Sequence, residues 1–86
     1  MSKLIFSEKA WEDYLFWQVQ DKKVLTRINT LLKDISRHNF YGLGKPEPLK
    51  NYDGCWSRRI DDKHRLVYRI SQDHIEILQC RGHYSD

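Results

Sequence analysis

The sequence predicts a single α+β domain over residues 1–86, in which a small, mainly antiparallel sheet of four or five strands carries an amino-terminal helical hairpin on one face. Three observations predict this class. Two stretches before residue 38 repeat apolar residues at helical spacing, a hairpin pattern runs from Gly54 to Ile70, and an alternating strand pattern runs from His74 to Arg81. With short strands near residues 3 and 48, the predicted element order is β-α-α-β-β-β-β.

The first helix follows a short strand at Lys3–Phe6. Ser7 is a suitable N-cap, and Glu8 lies where the helix dipole favours a negative charge. Asp21 resembles a second N-cap, so we expect the first helix to end near Gln20. Its predicted apolar stripe, spaced i, i+3, i+4 and i+7 with two adjoining aromatic residues, is Trp11, Tyr14, Leu15, Phe16, Trp17 and Gln18.

The second helix, from Asp21 to about Arg37, has a regular apolar stripe that should face the sheet. The stripe consists of Val24, Leu25, Ile28, Leu31, Leu32 and Ile35. Its basic residues are Lys22, Lys23, Arg27, Lys33 and Arg37. We expect most of these cations to form a solvated face, with some available to a nucleic-acid backbone.

The hairpin pattern predicts an unusual pair of arginines. With a three-residue loop at 61–63, Trp56 faces Tyr68 and Arg59 faces Arg65, whereas a two-residue loop would set Arg58 against Arg65. Like charges directly opposite each other destabilise a sheet. Either an anion such as phosphate lies between the two guanidinium groups, or both arginines splay into solvent.

The other titratable residues of the second half lie in loops and at the chain end. Glu47 stands between Pro46 and Pro48, in a loop whose backbone the prolines hold extended, a short distance along the chain from the arginine hairpin. His64 and His74 lie at hairpin turns, where we expect them to be solvated. The remaining candidates are His83 and Tyr84.

Composition sets further bounds on function. The net charge of +3 suits a polyanionic partner, and the two cysteines favour free thiols in a reducing cytoplasm. Cys80 and His83 have Cys-x-x-His spacing, but no further residues supply the remaining ligands of a zinc site, so we expect no metal or other cofactor. We also expect no signal segment and no contact with a membrane.

Long ordered motifs in this chain resemble the YoeB family of the RelE superfamily, the toxins of YoeB–YefM (Txe–Axe) toxin–antitoxin modules. They are Lys-Pro-Glu-Pro-Leu-Lys at 45–50, Gly-x-Trp-Ser-Arg-Arg-Ile at 54–60, His-Arg-Leu-Val-Tyr at 64–68, the closing His-Tyr at 83–84 and a stretch at 11–23. The resemblance covers nearly the whole chain. It implies a RelE-like fold and a ribosome-dependent endoribonuclease, an mRNA interferase that cleaves translated messenger RNA in the ribosomal A site.

The resemblance also implies a role for particular residues. Glu47 would be the general base that takes the proton of a ribose 2′-hydroxyl, and His83 the general acid for the leaving 5′-oxygen. Arg65 would stabilise charge on the scissile phosphate, and Tyr84 would orient the substrate. The phosphate-binding residues beside Arg65 would be Lys50 and Arg59. The implied product is a 2′,3′-cyclic phosphate, formed without metal.

The implied partners are messenger RNA, the 30S A site of the 70S ribosome and a YefM- or Axe-like antitoxin, with operator DNA reached only through the antitoxin complex. A homodimer is also compatible with the resemblance. Two other function classes stay open. One is a non-catalytic toxin on the same scaffold, similar to the ParE branch and acting by protein binding, and the other is a DNA-binding repressor subunit. A recognisable helix-turn-helix is absent from the sequence, which disfavours the second.

Overall fold

The computed structural model describes residues 3–83 and confirms the predicted order of elements. Two helices follow the first strand, and four strands follow the helices. The elements are β1 (Lys3–Phe6), α1 (Glu8–Gln20), α2 (Lys22–Arg37), β2 (Glu47–Pro48), β3 (Cys55–Arg59), β4 (Arg65–Ile70) and β5 (His74–Gln79). Within the described range, neither helix is long and apolar enough to cross a membrane.

The strands form one five-stranded sheet in the order β1-β5-β4-β3-β2. β1 runs parallel to β5, and the other three pairings are antiparallel. Both helices pack on the same face of this sheet, where the predicted apolar stripe of α2 meets Leu66, Tyr68, Ile75 and Ile77. The predicted mainly antiparallel sheet with a helical hairpin on one face is therefore confirmed.

The helix boundaries follow from two side-chain caps. The Ser7 hydroxyl accepts a hydrogen bond from the backbone N–H of Ala10, and the Asp21 carboxylate accepts hydrogen bonds from the N–H groups of Lys23 and Val24. Such caps satisfy amides that have no partner inside the first turn of a helix. Both N-caps predicted from the sequence are confirmed.

The apolar face predicted for α1 is only partly correct: Trp17 lies in the core and Tyr14 and Phe16 pack against it, but Trp11 and Leu15 do not. Trp11 and Leu15 are 49% and 40% exposed, whereas the buried residues of this helix are Ala10, Asp13 and Trp17. Polar contacts select this face, since Asp13 and Trp17 both bind the backbone of the residue that follows β5. Apolar periodicity cannot predict a buried aspartate, so Asp13 was absent from the predicted stripe and the more hydrophobic Trp11 and Leu15 were included.

Of the two registers that the sequence allowed for the β3–β4 hairpin, the one with a three-residue loop at 61–63 is present. Trp56 pairs with Tyr68, and Arg59 pairs with Arg65. Because side chains alternate across a strand, Arg58 points to the opposite face from Arg59. The hairpin therefore sends one arginine under the helices and two away from them.

Arg58 is fully buried between the sheet and the segment that follows α2. Its guanidinium group makes five hydrogen bonds, so that each of its three nitrogens has an acceptor. The acceptors are the carboxylate of Asp34, the backbone carbonyls of His38, Tyr41 and Leu43, and the hydroxyl of Tyr68. A buried charge is tolerated only with this degree of pairing.

This network fixes the chain segment that leads from α2 to β2. The N–H of Leu43 and the Arg58 guanidinium both bind the Asp34 carboxylate and lower its pKa. One residue further on, the carbonyl of Gly44 accepts a 2.7 Å hydrogen bond from the N–H of Arg59. A Cβ on Gly44 would lie 3.1 Å from that same arginine's carbonyl oxygen, and its φ of +78° also favours glycine.

We expect Arg58→Met to lower the free energy of unfolding by about 3–5 kcal/mol, because it leaves a carboxylate and three carbonyls without their cation. Urea denaturation followed by tryptophan fluorescence measures this change. The matched control is Arg37→Met in the exposed last turn of α2, which we expect to lose no more than about 1 kcal/mol. Equal losses in the two variants would contradict the stabilising role of the network.

Candidate active site

The candidate site lies on the sheet face that the helices leave uncovered. A small apolar cluster on this face contains Leu49, Cys55, Val67 and Leu78, and no helix residue contributes to it. Beside the cluster, the pairing of β2 with β3 and of β3 with β4 places charged side chains next to one another. This face therefore brings together three of the predicted site residues, Glu47, Arg59 and Arg65.

The short strand predicted near residue 48 is present as β2, and Glu47 is its first residue rather than part of the loop before it. Glu47 pairs with Ser57 of β3, and Pro48 pairs with Trp56. β2 is an edge strand, where proline is tolerated because its missing N–H would have faced outward. The prolines on either side of Glu47 thus keep a two-residue strand extended and fix where the carboxylate projects.

Glu47 and Arg65 form the centre of the site. An Nη1–H of Arg65 donates to the Glu47 carboxylate at 3.0 Å and to the hydroxyl of the buried Ser57 at 3.3 Å. Within residues 3–83, Nε and Nη2 of Arg65 make no hydrogen bond. The guanidinium group therefore keeps donors that an incoming anion can use.

The ion pair between Glu47 and Arg65 is only weakly stabilising. The Glu47 side chain is 58% exposed and that of Arg65 is 24% exposed. Ion pairs at such exposed positions contribute about 0–1 kcal/mol. A phosphate group, which a guanidinium binds with two parallel hydrogen bonds, can therefore compete with the carboxylate.

Each of the two opposed arginines forms an ion pair with a different carboxylate, which reduces the repulsion between the two cations. Arg65 binds Glu47, and Arg59 binds Asp62 of the hairpin loop at 2.9 Å. The opposition predicted from the sequence is present, but each guanidinium group has an acidic partner of its own. Both partners are largely exposed, so the cations stay accessible from solvent.

The segment after β5 is anchored to α1. The N–H of Cys80 donates to the Asp13 carboxylate at 3.1 Å, and the Trp17 indole donates to the Cys80 carbonyl at 2.8 Å. The Arg81 guanidinium then lies 3.5 Å from the centre of the Phe16 ring, a cation–π contact. These contacts direct the following residues towards the hairpin.

Gly82 joins this segment to the start of β4. Its N–H donates to Nδ1 of His64 at 2.9 Å, and its carbonyl accepts from the N–H of Arg65 at 3.0 Å. The expectation that His64 is solvated is therefore wrong. Nothing in the sequence indicated this contact, because it joins a loop residue to the chain end and follows no local spacing. His83, the next residue, is exposed.

The remaining predicted site residues are less closely associated. Lys50 is exposed in the turn after β2, beyond the Cys55 end of β3, whereas Arg59 lies at the other end of that strand. Tyr84 lies outside the described residues. Across residues 3–83, no three His, Cys, Asp or Glu side chains lie together in a way that would hold a metal ion.

Comparison with known proteins gives a consistent result. The model of the family described as YoeB-like toxin of bacterial type II toxin–antitoxin system matches residues 6–84. Toxin YoeB of Escherichia coli K12 is 55% identical over 83 residues, which are 95% of this chain and 99% of that protein.

Two solved structures from Staphylococcus aureus are also similar. A YoeB dimer has a TM-score of 0.92 at 47% identity, covering 96% of this chain and 98% of that one. A YoeB–YefM complex has a TM-score of 0.89 at 46% identity, covering 98% and 99%.

We expect the Cys80 thiol to resist alkylation in the folded protein. Burial raises its pKa to about 12, so that only about 10⁻⁴ of it is thiolate at pH 8. A Cys55→Ala variant leaves Cys80 as the single thiol, and its labelling by iodoacetamide can be followed by mass spectrometry. The same protein unfolded in urea should label rapidly, and equally fast labelling without urea would contradict the anchoring of this segment to α1.

Proposed function

This chain belongs to the YoeB family of toxins of bacterial type II toxin–antitoxin systems, and on that premise we propose that it is a ribosome-dependent endoribonuclease. It cleaves translated messenger RNA in the ribosomal A site and so inhibits translation in the cytoplasm. The products are a 2′,3′-cyclic phosphate on one fragment and a 5′-hydroxyl on the other.

The observation that carries this proposal is the contact between Glu47 and Arg65 on the open face of the sheet. A carboxylate that can accept a proton lies against a cation whose Nε and Nη2 bind no other residue of 3–83, and both side chains are accessible to a strand of RNA. The segment that leads to His83 is hydrogen-bonded to the backbone of the same arginine. This arrangement supports our assignment of the base and the phosphate ligand to neighbouring strands and of the acid to the segment bound beside them.

In the proposed reaction, Glu47 removes the proton of the 2′-hydroxyl as that oxygen attacks the adjacent phosphorus. Arg65 binds the non-bridging oxygens and stabilises the charge that accumulates on them. The bond from phosphorus to the 5′-oxygen breaks, and His83 donates a proton to the leaving oxygen. Each proton transfer contributes about 10²–10⁴-fold, and removal of a preorganised donor to developing charge typically costs about 10²–10³-fold.

The other predicted residues act around this centre. Arg59 lies opposite Arg65 and binds the same or an adjoining phosphate once Asp62 is displaced. Lys50, near the other end of β3, binds the RNA backbone further along the strand. Tyr84 orients the nucleotide. No metal takes part in this scheme, because the two proton transfers are assigned to side chains.

The proposed macromolecular partners follow from the family. The Staphylococcus aureus relatives include a YoeB–YefM complex and a YoeB dimer. We propose a YefM- or Axe-like antitoxin as the inhibitor of this chain, and self-association as a dimer. Operator DNA is contacted only through the toxin–antitoxin complex, and the substrate is messenger RNA held by the ribosome.

We expect Glu47→Ala and His83→Ala each to lower the cleavage rate on programmed ribosomes by about 10²–10⁴-fold, because each removes one proton transfer. Mapping of messenger-RNA ends in a translation extract measures the cleavage. Binding to the antitoxin should be retained by both variants. The matched control is Glu12→Gln, which alters an exposed carboxylate on α1 and should cleave like the unaltered protein. If the unaltered protein and both variants arrest growth and stall ribosomes but none of them cleaves messenger RNA, the result would instead favour a toxin that acts by protein binding.

We expect a 2′-deoxy nucleotide on the 5′ side of the scissile phosphate to block the reaction, because it removes the attacking oxygen. The measurement compares two short messenger RNAs that differ only at this position, each bound in the A site. A 2′-deoxy nucleotide one position further upstream is the control and should leave cleavage unchanged. Cutting of the first substrate would exclude the 2′-hydroxyl as the nucleophile.

A further inference from the structure

We infer that His64 is a positioning residue for His83, which it reaches through the backbone of Gly82. This inference rests on the proposed function, since it concerns the group assigned there as the general acid. The contact on which it depends is the 2.9 Å hydrogen bond from the N–H of Gly82 to Nδ1 of His64.

Two consecutive residues of the hairpin hold the same glycine. His64 accepts from its N–H, and the N–H of Arg65 donates to its carbonyl at 3.0 Å. Gly82 has a φ of +110°, a conformation that other residues rarely adopt, so the chain turns at this position. Both polar groups of the residue before His83 are therefore fixed to the start of β4.

This hydrogen bond identifies the tautomer of the neutral His64 ring. A backbone N–H donates to Nδ1, so this nitrogen carries a lone pair and the ring proton of the neutral form lies on Nε2. The ring itself packs edge-to-face against Trp17, with centroids 4.8 Å apart. Trp17 in turn binds the carbonyl of Cys80, so the ring is held between the hairpin and the anchored segment.

This arrangement couples the acid to the rest of the site. Arg65 uses its side chain to bind Glu47 and its backbone to bind Gly82. Without His64, one hydrogen bond would hold the glycine instead of two, and His83 would be free to turn about it. A displacement of about 1 Å at a reacting group can lower the rate about 10²-fold. His64 therefore affects the rate through the alignment of His83 and does not itself touch the substrate.

The test uses substitutions that separate the acceptor atom from the ring. His64→Phe keeps an aromatic ring against Trp17 and removes the acceptor, whereas His64→Asn places an amide oxygen close to the position of Nδ1. We expect Phe to lower the rate of messenger-RNA cleavage by about 10–10²-fold and Asn to restore most of the loss. His74→Phe is the control, since His74 lies at the far end of β5 and contacts Asp73 and Glu76.

A second substrate distinguishes misplacement of the acid from general damage. In a messenger RNA with sulfur in place of the scissile 5′-oxygen, the bond from phosphorus to sulfur breaks and a thiolate leaves. A thiol has a pKa of about 8.5, so the thiolate leaves without a proton from the enzyme. We expect the sulfur substrate to restore His83→Ala and His64→Phe to nearly the unaltered rate, and to leave Glu47→Ala impaired.

The outcomes separate this inference from the proposed function. Restoration of His83→Ala but not of His64→Phe would overturn the positioning role and leave the acid assignment intact. Failure to restore His83→Ala would overturn the acid assignment, and this inference with it. Thermal unfolding and antitoxin binding of each variant check the fold. Equal rates for Phe and Asn on the oxygen substrate would also overturn the role given to Nδ1.

Discussion

The pairing of β3 with β4 is the constraint on which the rest of the site depends. β2 adds to β3 and brings Glu47, while the segment after β5 returns to the start of β4 and brings the residue before His83. The register also sorts the arginines, because side chains alternate across the strand. A slip of one residue would exchange the buried Arg58 with an outward-facing neighbour, and each would meet the wrong partners.

Arg58 and Arg65 have the same type of side chain but different roles: Arg58 is fixed under the helices, and Arg65 lies on the uncovered face of the sheet. Arg58 has five hydrogen bonds and no exposure, so it cannot leave its acceptors and it fixes the segment before β2. Arg65 uses one nitrogen for two weak contacts and is partly exposed. Every guanidinium nitrogen of Arg58 has an acceptor, whereas among residues 3–83 Arg65 uses only Nη1, so its contacts can be exchanged for those of an anion.

The sequence determines the local parts of this arrangement better than the long-range ones. The caps at Ser7 and Asp21 and the face of α2 follow from residue type and spacing, and the opposition of Arg59 and Arg65 is one of the two registers that the hairpin pattern allowed; all are present. The face of α1 was mispredicted in part, because Asp13 is buried by a hydrogen bond to a residue 67 positions away. His64 was mispredicted for a similar reason, since its partner Gly82 lies 18 positions further along the chain, beyond two strands. Long-range hydrogen bonds of this kind have no local sequence pattern, so a single sequence does not indicate which residues form them.

The opposed arginines explain why a site of this kind can be charged and still receive an anion. Glu47 and Asp62 occupy Arg65 and Arg59 while no substrate is bound, which limits the repulsion between the two cations. Each contact is exposed enough to contribute only about 0–1 kcal/mol, so a phosphodiester that binds through paired hydrogen bonds can replace it. In the proposed reaction that replacement also separates Glu47 from its cation as the 2′-hydroxyl arrives. The ion pair of the free protein then holds the base in place, and the substrate itself releases the base to accept a proton.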